Sequence, residues 1–364
     1  MTVVREAHEA HGATFEAVAG RAVPAEYGRA ARTHRAVRNA VGVTEHAFDV
    51  LVVSGDDRRE FVDDTVTNRV PTEDGEGAYA LLLDPQGRIR VDCYVFATGD
   101  SLLLFLPFGE GGAVAEEWNE RTFVQDVDVE LATDDFGTFG VHGPKATEKV
   151  ASVLHHASPP EERLTFVRGE MEAGVTVVRD DDLAGEEGYL VVCGAEGASD
   201  VFETLLVRGL NAVPFGRRTW ETLTLEAGTP LFETELRDRI PNVVGLRNAV
   251  DFEKGCFVGQ EVVSKVENRG EPSSRLVGLT CETLPDAGAT VTEDGEEVGE
   301  VTRAAESPTL EEPLALAFVD YDVGGDAGDG ALAVETDGGD ASANLADLPF
   351  VDGGERSARL PTYE

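Results

Sequence analysis

One local pattern occurs twice in the first half of the chain, and it constrains the fold more than any other feature. Phe48 to Val53 has the composition of a strand, a Ser54-Gly55-Asp56 turn follows, and the next residues show helical spacing. Thr138 to Val141, a turn at His142-Gly143-Pro144 and a second helical pattern repeat this order about 90 residues later. The repeat predicts two α+β halves of similar construction.

Between these two units, residues 81–106 predict antiparallel strands joined by tight turns. The middle strand, Arg88 to Ala97, alternates between two kinds of side chain. Because successive side chains of a strand point to opposite faces, one face carries Ile89, Val91, Cys93 and Val95, and the other carries Arg90, Asp92 and Tyr94. The second face either meets water or lines a polar site.

Three further segments give local predictions. Residues 5–43, rich in Ala, Arg and His, predict a short helix, a loop containing Pro24 and a second helix. Residues 176–192 read as a strand, an acidic loop and a strand, and a helix ending at Gly209 follows. Thr222 to Glu226 has the composition of a strand.

The sequence pattern of the chain changes after Pro272. Short apolar segments alternate there with Gly, Asp and Pro, which is typical of a small antiparallel barrel or sandwich. We therefore predict a first domain over residues 1–270 and a second over residues 271–364.

The charge of the chain excludes some classes of partner. Its 70 Asp and Glu against 30 Lys and Arg give a net charge of -40, and no basic stripe is present, so broad contact with nucleic acid or an anionic membrane is not expected. Such a surface stays hydrated where salt screens its self-repulsion, as in a halophile. The longest apolar stretch, Leu102 to Phe108, is too short to span a bilayer.

Cysteine and histidine usage completes this picture. The 4 cysteines are widely spaced and form no CxxC pair, so neither a disulfide framework nor a zinc cage is predicted. His8 and His11 lack a third ligand nearby in the sequence, and no metal site is predicted. We expect a soluble cytoplasmic protein.

The densest concentration of reactive side chains is the octet from Lys254 to Glu261, Lys-Gly-Cys-Phe-Val-Gly-Gln-Glu. A thiol close to an ammonium group can have a lowered pKa, so Cys256 is a candidate nucleophile or a ligand for a transient sulfur or iron species. The alternative is a small residue buried in a tight glycine-rich turn. Lys254 is either a functional charge or a surface lysine, while Gln260 and Glu261 fix the loop or begin the next element.

The octet resembles the signature of the YgfZ family of folate-binding proteins, Lys-Gly-Cys-aromatic-x-Gly-Gln-Glu. Other stretches resemble the related glycine-cleavage T-protein (aminomethyltransferase) and occur in the same order over nearly the whole chain: His8 to Phe15, Arg35 to Arg38, Val41 to Val43, Val53 to Asp56, Gly143 to Ala146, Gly185 to Tyr189, Leu225 to Gly228 and Ser307 to Leu310. The chain is thereby identified as a member of this superfamily, with a haloarchaeal-like composition.

The resemblance implies an α+β fold, a T-protein-like folate-binding ring of α+β subdomains followed by a small C-terminal antiparallel β-barrel. It also implies tetrahydrofolate in a central channel. Asp92 falls at the T-protein aspartate that lies against the pterin and N5 region, and Glu186 falls on the glutamate that binds the pterin. From the residues alone, Asp92 could equally face water, and Glu186 belongs to a solvated acidic run.

These positions give the candidate site. Tyr94 and Tyr189 are candidates to stack on the pterin, although aromatic residues in strands are more often core. Lys254 would offer positive charge to the folate glutamate tail. The candidate catalytic residues are Cys256, Asp92 and Lys254, and the candidate folate-binding residues are Asp92, Glu186, Tyr94, Tyr189, Lys254 and Gln260. Cys256 and Lys254 are expected to face the same opening as Asp92.

Two positions depart from the T-protein pattern. Thr224 stands where an arginine precedes Leu-Glu-Ala-Gly, and Leu106 or a neighbour replaces a folate-contacting asparagine. With the octet, they favour a tetrahydrofolate-binding protein acting on iron-sulfur client proteins, in folate-dependent cluster assembly or repair. One alternative is aminomethyltransferase-type one-carbon transfer to tetrahydrofolate from a lipoyl carrier protein. Another is a non-catalytic folate sensor or scaffold.

Overall fold

The computed structural model describes residues 2–122, 124–324 and 331–363. Its helices are Arg5–Ala10 (α1), Ala30–Asn39 (α2), Arg58–Asp63 (α3), Gly111–Arg121 (α4), Ala146–Val153 (α5), Ala198–Val207 (α6), Arg217–Glu226 (α7), Pro241–Val244 (α8) and Gln260–Arg269 (α9). No helix in these ranges is long and apolar enough to cross a membrane.

The strands of the first three quarters of the chain form a hairpin and two larger sheets. They are Thr14–Val18 (β1), Arg21–Glu26 (β2), Gly42–Glu45 (β3), Phe48–Ser54 (β4), Gly77–Leu83 (β5), Ile89–Ala97 (β6), Leu102–Pro107 (β7), Asp128–Leu131 (β8), Phe136–His142 (β9), Phe166–Met171 (β10), Ala173–Arg179 (β11), Gly188–Gly194 (β12) and Val213–Pro214 (β13). The remaining strands form a barrel: Ser274–Cys281 (β14), Thr290–Glu293 (β15), Glu296–Glu306 (β16), Pro313–Asp320 (β17), Leu332–Thr336 (β18) and Gly339–Ala346 (β19).

The two strand-turn-helix units each open a sheet of the same construction. β4 and α3 lead into β5, β6, β7, α4 and β8, and β9 and α5 lead into β10, β11, β12, α6 and β13. The first sheet has the order β5-β6-β7-β4-β8 and the second has β10-β11-β12-β9-β3-β13, so only β3 is added in the second. The predicted pair of similar α+β halves is confirmed.

Both strand-to-helix turns require glycine. Gly55 has φ +100° and Gly143 has φ +125°, a region that side chains disfavour. A Cβ atom on Gly55 would lie 2.0 Å from the carbonyl oxygen of Asp126, and one on Gly143 would lie 2.6 Å from that of Val37. At each turn the missing side chain lets another segment pass close by: the residues before β8 at Gly55, and the end of α2 at Gly143.

Each sheet is covered by helices on one face and meets the other sheet with its second face. Phe61 of α3 and Trp118 of α4 pack on the first sheet, and Val150 of α5 and Phe202 of α6 pack on the second. The opposite faces share one cluster, in which Phe96 and Phe105 of the first sheet join Val178 and Leu190 of the second. The space between the sheets is therefore the centre of the molecule.

The predicted C-terminal antiparallel barrel is confirmed, with the closed order β14-β17-β16-β15-β18-β19. In β17 the side chains alternate: Ala315, Ala317 and Val319 fill the barrel, while Leu314 and Phe318 join the cluster between the sheets. The barrel therefore covers one side of the two sheets with their helices, which we call the ring.

Residues 347–363, which we call the tail, leave the barrel and return to the ring. The amide of Val351 donates to the carbonyl of Glu226 at 3.2 Å, and the amide of Ala358 donates to that of Asp181 at 2.9 Å. The barrel begins at Ser274, yet the end of the predicted second domain packs on the first. The division at residue 270 therefore stays a prediction.

One local prediction is right in part and another is wrong. Within residues 5–43 the two predicted helices are present as α1 and α2, but the segment predicted as a loop contains a hairpin of β1 and β2. Pro24 lies in β2, and the edge position of this strand in a two-stranded sheet tolerates it. Thr222 to Glu226 is the last part of helix α7. The hydroxyls of Thr222 and Thr224 donate to carbonyls four residues earlier, at 3.1 and 2.9 Å, so these β-branched side chains are accommodated in a helix.

The predicted face of Ile89 is also wrong. The pairing of β5 with β6 shifts register between Leu82 and Leu83, as in a β-bulge. Ile89 consequently packs in the cluster that contains Tyr94, whereas Val91, Cys93 and Val95 share the face under α3 and α4 as predicted.

Candidate functional site

A cavity of about 250 Å³ lies between the two sheets. The first sheet contributes Asp92, Tyr94, Phe96 and Phe105, and the second contributes Val178 and Leu190. Further wall residues come from the connection of β3 to β4 over residues 44–48, from helix α7, from residues 231–234, from the β1–β2 hairpin and from the loop after β11, which contributes Asp180. Arginines from the barrel and from the tail also reach the wall.

Strand β6 places its polar residues in this cavity by simple alternation. Asp92, Tyr94 and Phe96 line the cavity, and the intervening Cys93 and Val95 are buried on the helix-covered face. Of the two sequence interpretations of this strand, lining a polar site is therefore the one that the structure shows for Asp92 and Tyr94.

Asp92 is held by a buried cluster of polar groups. Its Oδ2 accepts hydrogen bonds from the Tyr79 hydroxyl at 3.0 Å and from Nη1 of Arg359 at 2.9 Å. Nη2 of Arg359 donates to the Tyr94 hydroxyl at 2.5 Å, and the guanidinium carbon lies 4.0 Å from the Tyr79 ring centroid. Asp92 and Arg359 are each only 5% exposed, so the carboxylate and the guanidinium compensate each other away from water.

The cluster leaves hydrogen-bonding capacity for a ligand. Burial raises the pKa of Tyr79 and of Tyr94 well above the usual range, so both phenols keep their protons. Within the described residues, Oδ1 of Asp92 and Nε of Arg359 have no hydrogen-bond partner. A buried acceptor and a buried donor without partners, beside aromatic walls, fit a flat heteroaromatic ring that carries N–H and acceptor groups.

The barrel supplies a second arginine to the cavity wall. Arg303 of β16 donates to the Thr224 hydroxyl at 2.8 Å and to the carbonyl of Thr229 at 2.7 Å, and it is 8% exposed. Thr224 is the position at which the T-protein pattern predicts an arginine. Here the guanidinium next to that position comes from the barrel instead.

The ammonium group of Lys254 binds backbone carbonyl oxygens. Its ammonium donates to the carbonyls of Val66 at 2.9 Å and Asn68 at 3.0 Å and also to that of Asp63, the last residue of α3. The side chain is buried, and burial lowers its pKa while Asp63 opposes that shift. These three bonds tie the octet to the end of α3.

Cys256 is exposed, on a loop that packs against the turn between β5 and β6. A Cβ atom on Gly259 would lie 2.7 Å from the carbonyl of Asp84, which shows how closely the loop approaches that turn. Cys256, Lys254 and Gln260 are absent from the described residues that line the cavity. The prediction that Cys256 and Lys254 share the opening with Asp92 is wrong. The octet packs against the turn between β5 and β6, whereas Asp92 lies in the middle of strand β6 and lines the cavity. Any catalytic role of Cys256 stays a prediction.

Three other predicted site residues, Gln260, Glu186 and Tyr189, also lie outside the described cavity wall. Gln260 begins α9, one of the two alternatives foreseen for it. Glu186 is buried and accepts from the amide of Gly354 in the tail at 3.0 Å, while the Tyr189 hydroxyl bonds to the Thr147 hydroxyl at 2.8 Å within the core of the second sheet. Neither lines the described cavity wall, and the substituted Leu106 lies in the core under α3 and α4.

Sequence reasoning missed the two buried arginines of the cavity wall, Arg303 and Arg359. The only arginines after Glu282 are Arg303, Arg356 and Arg359, in the most acidic part of the chain. Two of the three line the cavity. Rare cations in an acidic region were the available signal, because buried charges need partners.

Comparison with known proteins agrees with this architecture. Residues 4–254 match the family model of the GCVT N-terminal domain, and residues 275–352 match that of the glycine cleavage T-protein C-terminal barrel domain. A crystal structure of glycine cleavage system aminomethyltransferase T from Bartonella henselae has the same fold, with a TM-score of 0.85 over 98% of both chains and 23% sequence identity.

Relatives in sequence extend over almost the whole chain. A probable aminomethyltransferase of Halobacterium salinarum is 31% identical over 365 residues, which cover 95% of this chain and 97% of that protein. An aminomethyltransferase of Corynebacterium aurimucosum is 29% identical over 356 residues, with 94% and 95% covered. The similarity is therefore not confined to one domain.

Proposed function

The chain belongs to the glycine cleavage T-protein family, and we propose that it transfers a one-carbon unit from an aminomethyl group to tetrahydrofolate bound in the central cavity. The aminomethyl donor would be carried by a lipoyl carrier protein, and the reaction would take place in the cytoplasm. From the sequence, this transfer was an alternative to a role with iron-sulfur proteins, and the names of the relatives favour the transfer.

The observation that carries the proposal is the cluster around Asp92. A carboxylate with one unpartnered oxygen lies in the wall of an aromatic cavity, next to a guanidinium with one unpartnered N–H. Tyr94, Phe96 and Phe105 offer ring faces or edges to a flat ligand. Tetrahydrofolate supplies the two nitrogens that accept the one-carbon unit, one in the pterin ring and one in the arylamine bridge.

The residues of the cavity then have defined roles in this reaction. Asp92 accepts a hydrogen bond from an N–H group of the ligand through Oδ1, which orients the ligand in the cavity. Arg359 and Tyr79 hold Oδ2 and fix the direction of the carboxylate. The apolar wall excludes water, which strengthens these polar contacts.

The test is formation of methylene-tetrahydrofolate from an aminomethyl-loaded lipoyl carrier protein, measured in molar KCl. We expect turnover by the wild type and a loss of about 10²-fold or more in Asp92→Asn, because the amide has only one oxygen to accept with. Cys256→Ala should be fully active, since its thiol is exposed and outside the cavity wall. Absence of product with the wild type, or full activity of Asp92→Asn, would contradict the proposal.

A second candidate, folate-dependent assembly or repair of iron-sulfur clusters, has one observation in its favour. Cys256 is exposed in the Lys-Gly-Cys octet, so its thiol can reach an iron-sulfur client protein. This candidate predicts that Cys256→Ala fails to restore iron-sulfur enzyme activity in a deletion strain. Folate binding without turnover and without a Cys256 phenotype would instead indicate a sensor or scaffold.

A further inference from the structure

We propose that His46, His142 and Asp180 form a proton relay that connects two points of the cavity wall. His46 and Asp180 both line the cavity, and His142 lies behind the wall and is only 1% exposed. The three residues come from the β3–β4 connection, from the end of β9 and from the loop after β11. A side chain buried between two cavity-lining groups can pass a proton from one to the other.

The distances place the three side chains in one row, with a hydrogen-bond contact at the first step and a close approach at the second. Nε2 of His46 lies 3.1 Å from Nε2 of His142, within hydrogen-bond range. Nδ1 of His142 lies 3.4 Å from Oδ2 of Asp180 and has no hydrogen-bond partner in the described chain. Two hydrogen bonds with Thr138 fix the backbone of His46. The amide of His46 donates to the carbonyl of Thr138 at 2.9 Å, and the hydroxyl of Thr138 donates to the carbonyl of His46 at 2.7 Å.

Two glycines leave the room that this arrangement needs. A Cβ atom on Gly140 would lie 2.3 Å from Nε2 of both His46 and His142. One on Gly188 would lie 2.2 Å from Oδ2 of Asp180. Because a side chain at either position would displace these groups, the contact between His46 and His142 and the position of Asp180 both depend on glycine.

The environment of each group sets where the proton rests. Burial, and next the charge of Asp182, raises the pKa of Asp180 to about 8. Burial lowers the pKa of His46 to about 4, and burial together with His46 lowers that of His142. Near neutral pH both imidazoles are therefore uncharged and the proton rests on Asp180.

Other charged groups also face the path and enter this balance. Nη1 of Arg179 lies 3.6 Å from Oδ1 of Asp180 but also bonds to Asp182. The charged groups that act on Asp180 are Arg179, Asp181 and Asp182. Glu45, next to His46 in the sequence, and Arg217 and Glu221 of α7 line the same cavity as His46. No set of three or more His, Cys, Asp or Glu in the described residues is arranged to hold a metal ion.

The transfer is balanced in atoms and charge. In the resting state the proton of Asp180 lies on the carboxyl group beside Nδ1 of His142, Nε2–H of His142 donates to His46, and His46 carries its own proton on Nδ1. When His46 releases that proton into the cavity, it receives one from His142, which receives one from Asp180. The imidazoles end neutral in the opposite tautomer, and Asp180 ends as a carboxylate that can take a proton from the cavity.

The use of this relay in catalysis rests on the proposed function. One-carbon transfer forms two carbon–nitrogen bonds to tetrahydrofolate, and each attacking nitrogen loses a proton. It breaks the bonds of the carbon to the amine and to the carrier sulfur, and each leaving group takes up a proton. Asp180 can collect one of the released protons and His46 can deliver one to the leaving amine, without a water molecule in the apolar cavity.

The relay is tested first without folate, by ¹⁵N NMR of the imidazole rings of the wild type between pH 6 and pH 9. We expect His46 and His142 to change tautomer together as Asp180 ionises, and Asp180→Asn to abolish that change. Signals are assigned with His46→Gln and His142→Gln, and the exposed His156 serves as an ordinary histidine. Rings that each keep one tautomer over this range in the wild type would overturn the relay, whether or not the enzyme turns over.

Its catalytic use is tested by kinetics. His142→Gln should lower kcat by about 10²-fold, with the KM for tetrahydrofolate changed by less than about threefold, because His142 does not contact the cavity. His156→Gln is the matched control and should match the wild type. Equal kcat values for His142→Gln and wild type would overturn the catalytic use, and the NMR result would then stand or fall separately.

Discussion

At the scale of single residues, the two buried cations Lys254 and Arg359 show why burial alone does not mark a site. Lys254 satisfies carbonyl oxygens around the end of α3 and leaves no N–H for a ligand in the part of the chain described. Arg359 is paired with a carboxylate that faces a cavity and retains an unpartnered Nε. The first cation stabilises the fold, and the second shapes a binding site.

Lys254→Met is therefore expected to lower stability and spare activity. Losing the ammonium leaves buried carbonyls without a donor, which should lower the free energy of unfolding by about 2–3 kcal/mol. Lys265→Met, which changes an exposed lysine of α9, should stay within about 0.5 kcal/mol of wild type. Urea unfolding in molar KCl measures both. A large loss of kcat in folded Lys254→Met would return this residue to the catalytic site.

The pair of Asp92 and Arg359 is expected to behave as a unit in a double-mutant cycle. Asp92→Asn or Arg359→Gln alone should lower the free energy of unfolding by about 3–5 kcal/mol, because each leaves a buried charge without its partner. Changing both should cost less than the sum of the single changes by at least about 1 kcal/mol. Additive costs in urea unfolding would show that the two charges do not compensate each other.

These residues also show what sequence could and could not predict about the site. Asp92 and Tyr94 were found because strand alternation is local and the resemblance marked the strand. Arg359 and the His46–His142–Asp180 path depend on contacts between distant segments, for which the sequence carries no period or motif. The octet attracted attention as reactive chemistry, but the task of Lys254 is defined by carbonyls of a helix end far earlier in the chain.

At the scale of elements, the fold was predictable where its pattern is local and repeated. The two strand-glycine-helix units and the barrel strands follow from alternation and turn residues, and both were confirmed. The β1–β2 hairpin was missed because Pro24 looked like a loop residue, and the end of α7 was missed because threonines usually favour strands. In both cases a tertiary or side-chain contact outweighed local propensity.

The strand-to-helix turns provide a test at this scale. Gly55→Ala should lower the free energy of unfolding by more than about 3 kcal/mol, because the added Cβ would strike the backbone carbonyl of Asp126 in a left-handed conformation. Gly99→Ala is the matched control, since Gly99 also has positive φ (+80°) but nothing within 4 Å of the added atom. Only the conformational cost of about 1–2 kcal/mol should appear there. Equal losses in thermal or urea unfolding would show that the close crossing does not fix the turn.

At the scale of the whole molecule, a duplicated ring, a barrel and a tail converge on one cavity. The chain carries a net charge of -40, yet arginines of the barrel and of the tail are brought into the cavity wall. The tail that brings Arg359 there is also bonded to Glu186 and to the loop of Asp181. The ligand-binding properties of the ring therefore depend on segments that follow it in sequence.

The measurement that tests this account most directly is a calorimetric titration of tetrahydrofolate into the wild type and into Ala47→Trp, in molar KCl. Ala47 lines the cavity, so an indole there would fill space that the ligand needs, whereas Ala151→Trp changes an exposed position on α5 and serves as the control. We predict saturable binding to the wild type and to Ala151→Trp, and loss of binding in Ala47→Trp with folding preserved. Undiminished binding to folded Ala47→Trp would contradict the assignment of the cavity as the folate site.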